Sequence, residues 1–223
     1  MLNQAQTHLL TEGARSFGLE ISGEPLAHFS LYLEELARWS KITNLVSQAD
    51  PETIIRKHIL DSLAVSPLIP AEARLLDLGS GAGFPGLVLA MVEPARTVVL
   101  IEARRKRVNF LKDVVRKTQV KNVRVYEGRA EALSADHSLR NSFAVAISRA
   151  TWSLKEFLSL AHPFVAPGGT LIAMKGPQGD QELRDFSGFP QTLGISLRNV
   201  HEYTLPFGGE PRKAMVFAKQ CST

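Results

Sequence analysis

The sequence predicts an α/β protein with a mostly parallel seven-stranded sheet, an antiparallel last strand and an N-terminal helical extension. Three features of the residue pattern predict this fold. Before residue 70 the apolar residues recur only at helical spacing. From residue 74 onward, short apolar runs alternate with amphipathic segments, which is typical of strand–helix units in a parallel sheet. Near the end, a Pro-Phe-Gly-Gly segment at 206–209 joins two apolar runs and indicates a hairpin.

Residues 1–70 form the predicted helical extension, and residues 71–223 form the predicted α/β domain. One apolar stripe at helical spacing predicts a helix from about Pro25 to Lys41, because Pro25 also suits a helix N-terminus. A second helix is predicted from about Asp50 to Val65. Asp50 offers a capping oxygen, and the proline and acid that follow it suit the first turn and the positive end of the helix dipole.

The predicted elements of the α/β domain follow in a regular order. The parallel strands are predicted at Arg74–Leu78, Thr97–Glu102, Val123–Tyr126, Phe143–Ser148 and Thr170–Lys175. The helices between them are predicted at Pro85–Val92, Lys106–Thr118, a short segment near Ala130, and Leu154–Phe164. Two further strands, near Leu197–Tyr203 and Ala214–Lys219, flank the hairpin loop, so the last strand is expected to run antiparallel.

Composition narrows the class of protein. The single cysteine, Cys221, excludes a disulfide within the chain and favours a reducing, cytoplasmic environment. The first residues lack the pattern of a secretory signal, and no apolar run approaches the ~20 residues of a membrane span. The net charge of +4 permits a nucleic-acid partner without requiring one. The six histidines show no metal-ligand spacing, so no metal site is predicted.

A glycine-rich loop follows the first predicted strand and opens a helix, which is the context in which such loops bind ligands. Its glycines Gly79, Gly81 and Gly83 allow a sharp turn and the close approach of a ligand to the backbone. A dinucleotide loop has the spacing G-x-G-x-x-G, but here Phe84 stands where its third glycine would be. A P-loop is excluded because no Gly-Lys-Ser/Thr follows.

The acids around this loop favour S-adenosyl-L-methionine as the cofactor, with S-adenosyl-L-homocysteine as the product. Asp77 would repel a pyrophosphate but attract the cationic ammonium and sulfonium groups of this cofactor. Glu102 ends the second predicted strand, where an acid binds the ribose hydroxyls of an adenosine, although NAD would use the same acid. Ala130 and Glu131 follow the third strand, in a loop placed to cover the adenine.

The segment after the fourth predicted strand, residues 147–152, is expected to carry the acceptor chemistry. It contains no Asn/Asp-Pro-Pro-Tyr/Phe sequence, and no cysteine nucleophile is available for attack on a pyrimidine. The remaining candidate is a methyl acceptor with its own lone pair, such as ring nitrogen 7 of guanine. Such an acceptor needs alignment with the bond between the methyl group and sulfur and does not need a general base. Arg149 is the predicted positioning residue, and it is suited to a guanine edge, a phosphate or the cofactor carboxylate. A surface ion pair would also account for Arg149.

A basic tract follows Glu102. Its first members are Arg104, Arg105, Lys106 and Arg107, and Lys175 and Arg212 are predicted to extend it around the cleft. RNA phosphates are natural partners for such a tract. A solvated helix face explains the same charges equally well.

The sequence resembles the bacterial small-subunit ribosomal RNA methyltransferase G family, also called glucose-inhibited division protein B, over nearly the whole chain. The resemblance is carried by Arg56-Lys57-His58-Ile59-Leu60-Asp61-Ser62-Leu63, by the loop from Asp77 to Gly86, by Ser148-Arg149-Ala150 and by Met174-Lys175-Gly176. The His-Ile-Leu-Asp-Ser-Leu string is the most specific of these, because generic methyltransferases lack it.

The resemblance implies a class I Rossmann-like methyltransferase fold and transfer of a methyl group to ring nitrogen 7 of a guanine in 16S rRNA of the small ribosomal subunit. The family's cofactor contacts then fall on Gly79, Phe84, Ala130, Glu131 and Arg149, while Asp77 and Glu102 match its general pattern. Two other functions stay open: a small-molecule methyltransferase, and a non-catalytic RNA-binding or ribosome-assembly factor. Nothing in the sequence indicates an oligomer, so a monomer is expected.

Overall fold

A seven-stranded sheet forms the centre of the computed structural model, which describes residues 1–48, 50–149, 152–177, 179–185 and 193–221. The strands are β1 (Arg74–Leu78), β2 (Thr97–Glu102), β3 (Val123–Glu127), β4 (Phe143–Arg149), β5 (Val165–Lys175), β6 (Ile195–Thr204) and β7 (Pro211–Lys219). Their spatial order is β3-β2-β1-β4-β5-β7-β6. Strands β1 to β5 pair in parallel, and β7 is antiparallel to both β5 and β6. The predicted fold class and the antiparallel last strand are confirmed.

Strand β5 is longer than predicted. It begins at Val165 rather than Thr170 and runs through a Pro-Gly-Gly segment that the sequence pattern marks as a break. The pairing register with β4 shifts between Phe143 and Val145. The Pro-Gly-Gly segment therefore forms an irregularity in the ladder, and β5 continues beyond it. The helix predicted at Leu154–Phe164 correspondingly spans Leu154–Ala161 and ends three residues earlier than predicted.

Helices cover both faces of the sheet. They are α1 (Gln4–Arg15), α2 (Glu24–Ser40), α3 (Pro51–Ile54), α4 (Leu60–Ala64), α5 (Gly86–Val92), α6 (Arg105–Thr118), α7 (Ala130–Leu133), α8 (Leu154–Ala161) and α9 (Gly179–Arg184). A π-helical turn, Ile55–Ile59, joins α3 to α4, so the single helix predicted from Asp50 to Val65 is a composite. Such turns are rare and often lie at functional sites. Within the described ranges, no helix is both long and apolar enough to span a membrane.

The N-terminal helices share one hydrophobic core with α5 and α6, on one face of the sheet. Tyr32 of α2 is fully buried there, with ring centroids 5.6 Å from Phe84 and 6.2 Å from Phe110. Ion pairs between Glu35 and Lys117 and between Arg38 and Asp113 tie α2 to α6 at the rim of this core. Residues 1–70 are packed against the α/β domain and share its core, so the division of the chain at residue 70 stays a prediction.

A buried arginine joins the end of the helical region to the sheet. Arg96 is 2% exposed, and its guanidinium donates to the carbonyl oxygens of Ile69 at 3.0 Å and Leu89 at 3.4 Å. A buried charge is costly unless its donors are satisfied. Arg96 therefore fixes the segment that leads into β1, and so it fixes the approach of the N-terminal helices to the sheet.

Candidate active site

The glycine-rich loop lies between β1 and α5, at the carboxyl ends of the parallel strands. The order of the strands reverses between β1 and β4, and ligands of open α/β sheets bind in the crevice at such a point. Gly79 has φ +65° and Gly83 has φ +99°, conformations that favour glycine. The backbone of this loop therefore depends on its glycines, as predicted from their spacing.

Asp77 lies behind the loop and is fully buried. Its Oδ2 accepts a hydrogen bond from the Gly86 N–H at 2.9 Å, and a Cβ on Gly86 would lie only 2.6 Å from the Asp77 Cβ. Burial raises the pKa of Asp77 to about 7. Its Oδ1 is buried and has no hydrogen-bond partner among the described residues. A cation beside this loop would favour the ionised form of Asp77, so the unpartnered oxygen suits a cationic ligand better than a phosphate.

A cavity of about 280 Å³ opens at the ends of β1 and β2, and we call it the cofactor cavity. Four predicted cofactor residues line it, namely Gly79, Glu102, Ala130 and Glu131. Glu102 is 5% exposed, and its two carboxylate oxygens accept hydrogen bonds from the backbone N–H groups of Gly81 at 3.0 Å and Arg104 at 2.7 Å. The carboxylate is thereby fixed in the wall of the cavity.

Other predicted cofactor residues support the loop and do not line this cavity. The Gly81 N–H is bonded to Glu102, and a Cβ on Gly83 would lie 3.0 Å from Leu87 of α5. Phe84 is 5% exposed and stacks on the ring of His58 with centroids 5.0 Å apart and an interplanar angle of 22°. The cofactor contacts expected at these positions stay predictions.

Arg149, at the end of β4, is held by residues of the N-terminal region. Its guanidinium carbon lies 5.0 Å from the centroid of the Phe84 ring. Its Nη1 donates to Asp61 Oδ2 at 3.1 Å, and its Nη2 lies 2.9 Å from His58 Nδ1. The Tyr203 hydroxyl donates to the other oxygen of Asp61 at 2.8 Å. The Arg149 Nη1 also donates to the carbonyl oxygen of Lys57 at 3.3 Å. These hydrogen bonds and the Phe84 ring together set the orientation of Arg149.

These contacts form the wall of a second cavity, of about 320 Å³, which we call the acceptor cavity. Its lining residues are Lys57, His58, Asp61, Arg149, Met174, Lys175, Gly176, Tyr203 and Arg212. Lys175 Nζ donates to the carbonyl oxygen of Trp152 at 2.7 Å, and Trp152 lines the cofactor cavity. The two cavities are therefore neighbours. Ala150 and Thr151, in the segment predicted to carry acceptor chemistry, lie outside the described residues.

The predicted RNA-binding residues fall into two groups. Arg212 and Lys175 line the acceptor cavity, but the Lys175 ammonium is paired with Glu182 at 2.8 Å and its side chain is only 9% exposed. The other group, residues 104–107 at the start of α6, lines a cleft together with residues 40–44 at the end of α2. RNA contacts of both groups stay predictions.

Sequence reasoning assigned no role to His58, Asp61 or Tyr203. His58 and Asp61 belong to the string that carries the family resemblance, which was the one available signal for them. Tyr203 lies in a predicted strand with no pattern that marks it as special. Asp61 and His58 contact Arg149 across 88 and 91 residues of chain, and Tyr203 contacts Asp61 across 142.

Removal of the Tyr32 hydroxyl is expected to weaken the glycine-rich loop. The hydroxyl is buried and donates to the carbonyl oxygen of Ala82 at 2.5 Å. In Tyr32→Phe that carbonyl loses its partner, so the free energy of unfolding should fall by about 1–2 kcal/mol. The affinity for S-adenosyl-L-methionine should fall severalfold, as measured by calorimetry. Tyr126→Phe, which removes a hydroxyl outside this loop, is the control, and an equal loss in both variants would contradict the prediction.

His58 is expected to lower the stability of the protein in mild acid. Burial and the Arg149 guanidinium lower the pKa of His58 to about 3. An unfolded histidine has a pKa of about 6.5, so the unfolded state binds a proton that the folded state does not. The folded state therefore loses stability as the pH falls from about 6.5 towards 3. The raised pKa of Asp77 acts in the opposite direction, so the contribution of His58 must be isolated by substitution.

His58→Asn isolates that contribution. Urea denaturation at about pH 7.5 and at about pH 5 measures how much unfolding free energy each protein loses between the two pH values. This loss should be about 2 kcal/mol smaller in the variant than in the wild type. The same substitution at His8, which is exposed, should behave like the wild type. Equal losses in the wild type and in His58→Asn would show that His58 titrates normally.

The chain is similar to a well-defined set of known proteins. A family model described as rRNA small subunit methyltransferase G matches residues 26–207. The ribosomal RNA small subunit methyltransferase G of Geobacter sulfurreducens is 37% identical over 211 residues, covering 95% of this chain and 96% of that protein. The protein of the same name from Myxococcus xanthus is 38% identical over 212 residues, with coverage of 95% and 96%.

Solved structures show the same fold at low identity. A SAM-dependent methyltransferase from Aquifex aeolicus aligns with a TM-score of 0.57 and 20% identity, over 82% of this chain and 98% of that one. The M. jannaschii protein TYW2, solved in complex with AdoMet, aligns with a TM-score of 0.55 and 14% identity, over 72% and 74%. The Rossmann-like methyltransferase fold predicted from the sequence is confirmed.

Proposed function

The chain belongs to the rRNA small subunit methyltransferase G family, and on that premise we propose that it methylates ring nitrogen 7 of a guanine in 16S rRNA. The enzyme is an S-adenosyl-L-methionine-dependent rRNA methyltransferase, and S-adenosyl-L-homocysteine is the product that remains after methyl transfer. We further propose that it acts as a monomer in the cytoplasm, on RNA of the small ribosomal subunit.

The adjacency of the two cavities is the observation that carries the proposal. The cofactor cavity contains an acid, Glu102, whose position is fixed by two backbone N–H groups. The acceptor cavity contains the cations Arg149 and Arg212 on its wall. Methyl transfer requires the acceptor atom in line with the bond between the methyl carbon and sulfur, so the two ligands must occupy neighbouring sites.

The residues of the cofactor cavity fit S-adenosyl-L-methionine. Glu102 would accept hydrogen bonds from the ribose hydroxyls, with Ala130 and Glu131 beside the adenine. The unpartnered Oδ1 of Asp77 would attract the positive charge of the methionine end. When bound, this cofactor supplies an electrophilic methyl group activated by its sulfonium.

The residues of the acceptor cavity would position the base without deprotonating it. Guanine N7 carries a lone pair at neutral pH, so no general base is required. Burial and Arg149 keep His58 neutral, which makes its Nδ1 an acceptor for the Arg149 guanidinium. Arg149 is thereby held in the wall of the acceptor cavity, where its guanidinium would contact the cofactor carboxylate or a guanine edge.

Methyl transfer from labelled S-adenosyl-L-methionine to small ribosomal subunits lacking the modification would test the proposal. We expect incorporation into 16S rRNA, at a guanine that becomes sensitive to reduction and aniline cleavage, as 7-methylguanine is. Comparison of intact subunits with deproteinised RNA would show which one is the substrate. Absence of cofactor binding in calorimetry would contradict the enzyme assignment, and methylation at another atom would contradict only the choice of N7.

A further inference from the structure

The hairpin formed by β6 and β7 lies beside the acceptor cavity, and the loop at its tip contains a phenylalanine, Phe207. Tyr203 of β6 pairs with Arg212 of β7, and both residues line that cavity. The loop beyond this pair is closed by a hydrogen bond from the Leu205 N–H to the Glu210 carbonyl oxygen at 3.3 Å. Phe207 lies within this loop, just beyond the last residues of the cavity wall.

Two features of Phe207 are unfavourable for folding. Its backbone has φ +63°, a region that costs a bulky residue free energy and that hairpin tips usually fill with Asn, Asp or Gly. Its side chain is also exposed, at 48%, so burial of the ring offsets little of that cost. Local strain that is retained at the edge of a site suggests a functional use.

The exposed ring is supported by a cation from the other wall of the acceptor cavity. The Arg56 guanidinium carbon lies 5.0 Å from the centroid of the Phe207 ring. Arg56 belongs to the π-helical turn, and the next two residues of that turn, Lys57 and His58, line the cavity. The hairpin tip and the turn therefore meet, and an aromatic ring with its supporting cation stands beside the cavity.

We propose that Phe207, supported by Arg56, is a stacking platform for an unpaired nucleobase of the RNA that neighbours the target guanine. This inference depends on the proposed function. A base that enters a cavity must leave its stack, so its neighbour loses a stacking partner that an aromatic ring can replace. Stacking on an aromatic ring accepts any base, and an arginine beside the ring adds attraction for the strand.

The substitution Phe207→Asn separates the stacking role from folding. Asparagine tolerates a positive φ, so the melting temperature of the variant should equal or exceed that of the wild type. Without the ring, the affinity for a single-stranded RNA oligonucleotide carrying 2-aminopurine should fall by about tenfold or more, and KM for small ribosomal subunits should rise similarly. The dissociation constant for S-adenosyl-L-methionine should not change. Phe207→Trp should retain the wild-type values.

Leu31→Ala is the control, because Leu31 is also an exposed apolar side chain, 37% exposed, but lies on α2. It should leave RNA affinity and KM unchanged. A Phe207→Asn variant with wild-type oligonucleotide affinity and KM would overturn the platform while leaving the proposed function intact. A higher KM with unchanged oligonucleotide affinity would indicate that Phe207 contacts a ribosomal protein and not RNA. That result would also overturn the platform. A wild-type enzyme that transfers no methyl group to RNA would instead overturn the proposed function.

Discussion

Gly79→Asp is expected to abolish binding of S-adenosyl-L-methionine without unfolding the protein, because aspartate adopts a positive φ more readily than most residues. Gly79 lines the cofactor cavity, and we expect the ligand to approach the backbone closely there. A side chain at this position would occupy that space and place a second carboxylate beside Glu102. The affinity should fall by more than about a hundredfold, which is ~2.7 kcal/mol in binding free energy. Isothermal titration calorimetry would measure it.

Gly18→Asp is the matched control for Gly79→Asp. Gly18 has φ +74°, close to the +65° of Gly79, and a Cβ there would meet nothing within 4 Å. Both variants therefore make the same change at a similar backbone conformation, but only one lies in the cofactor cavity. Gly18→Asp should bind the cofactor like the wild type. A Gly79→Asp variant with normal affinity would show that the cofactor binds elsewhere.

Arg149→Lys is expected to reduce kcat/KM for methyl transfer by at least about a hundredfold, or ~2.7 kcal/mol in activation free energy. The guanidinium contacts Asp61, His58 and the Phe84 ring at the same time. A lysine ammonium keeps the charge but cannot reproduce this planar set of contacts. The loss should therefore appear even though the net charge of the cavity is unchanged. Steady-state assays with small ribosomal subunits would measure it.

Arg15→Lys is the control for this substitution. Arg15 lies at the end of α1 with a side chain that is 64% exposed, and it pairs with Glu12 of the same helix. Exposed pairs of this kind contribute little, so both stability and activity should stay at the wild-type level. If Arg149→Lys retained full activity, the orientation of the guanidinium would not matter, and only its charge would be needed.

Local sequence patterns predicted most of the elements because each depends on neighbouring residues. The helix predicted at Lys106–Thr118 is α6, which begins one residue earlier, and β1 and β2 have the predicted bounds. The early start of β5 was missed because its Pro-Gly-Gly segment reads locally as a break, whereas pairing with β4 continues around it. Tertiary pairing there outweighs local propensity.

The class of the fold, the position of the glycine-rich loop and the acids Asp77 and Glu102 beside it can be predicted from the order of the residues alone. These features are periodic or contiguous, so a short window of residues contains them. The contacts of Asp61 and His58 with Arg149, of Tyr32 with the loop and of Arg56 with Phe207 are visible only in the folded protein. Hydrogen bonds and charge interactions depend on distance in space, and the fold brings together residues whose separation along the chain carries no periodic signal.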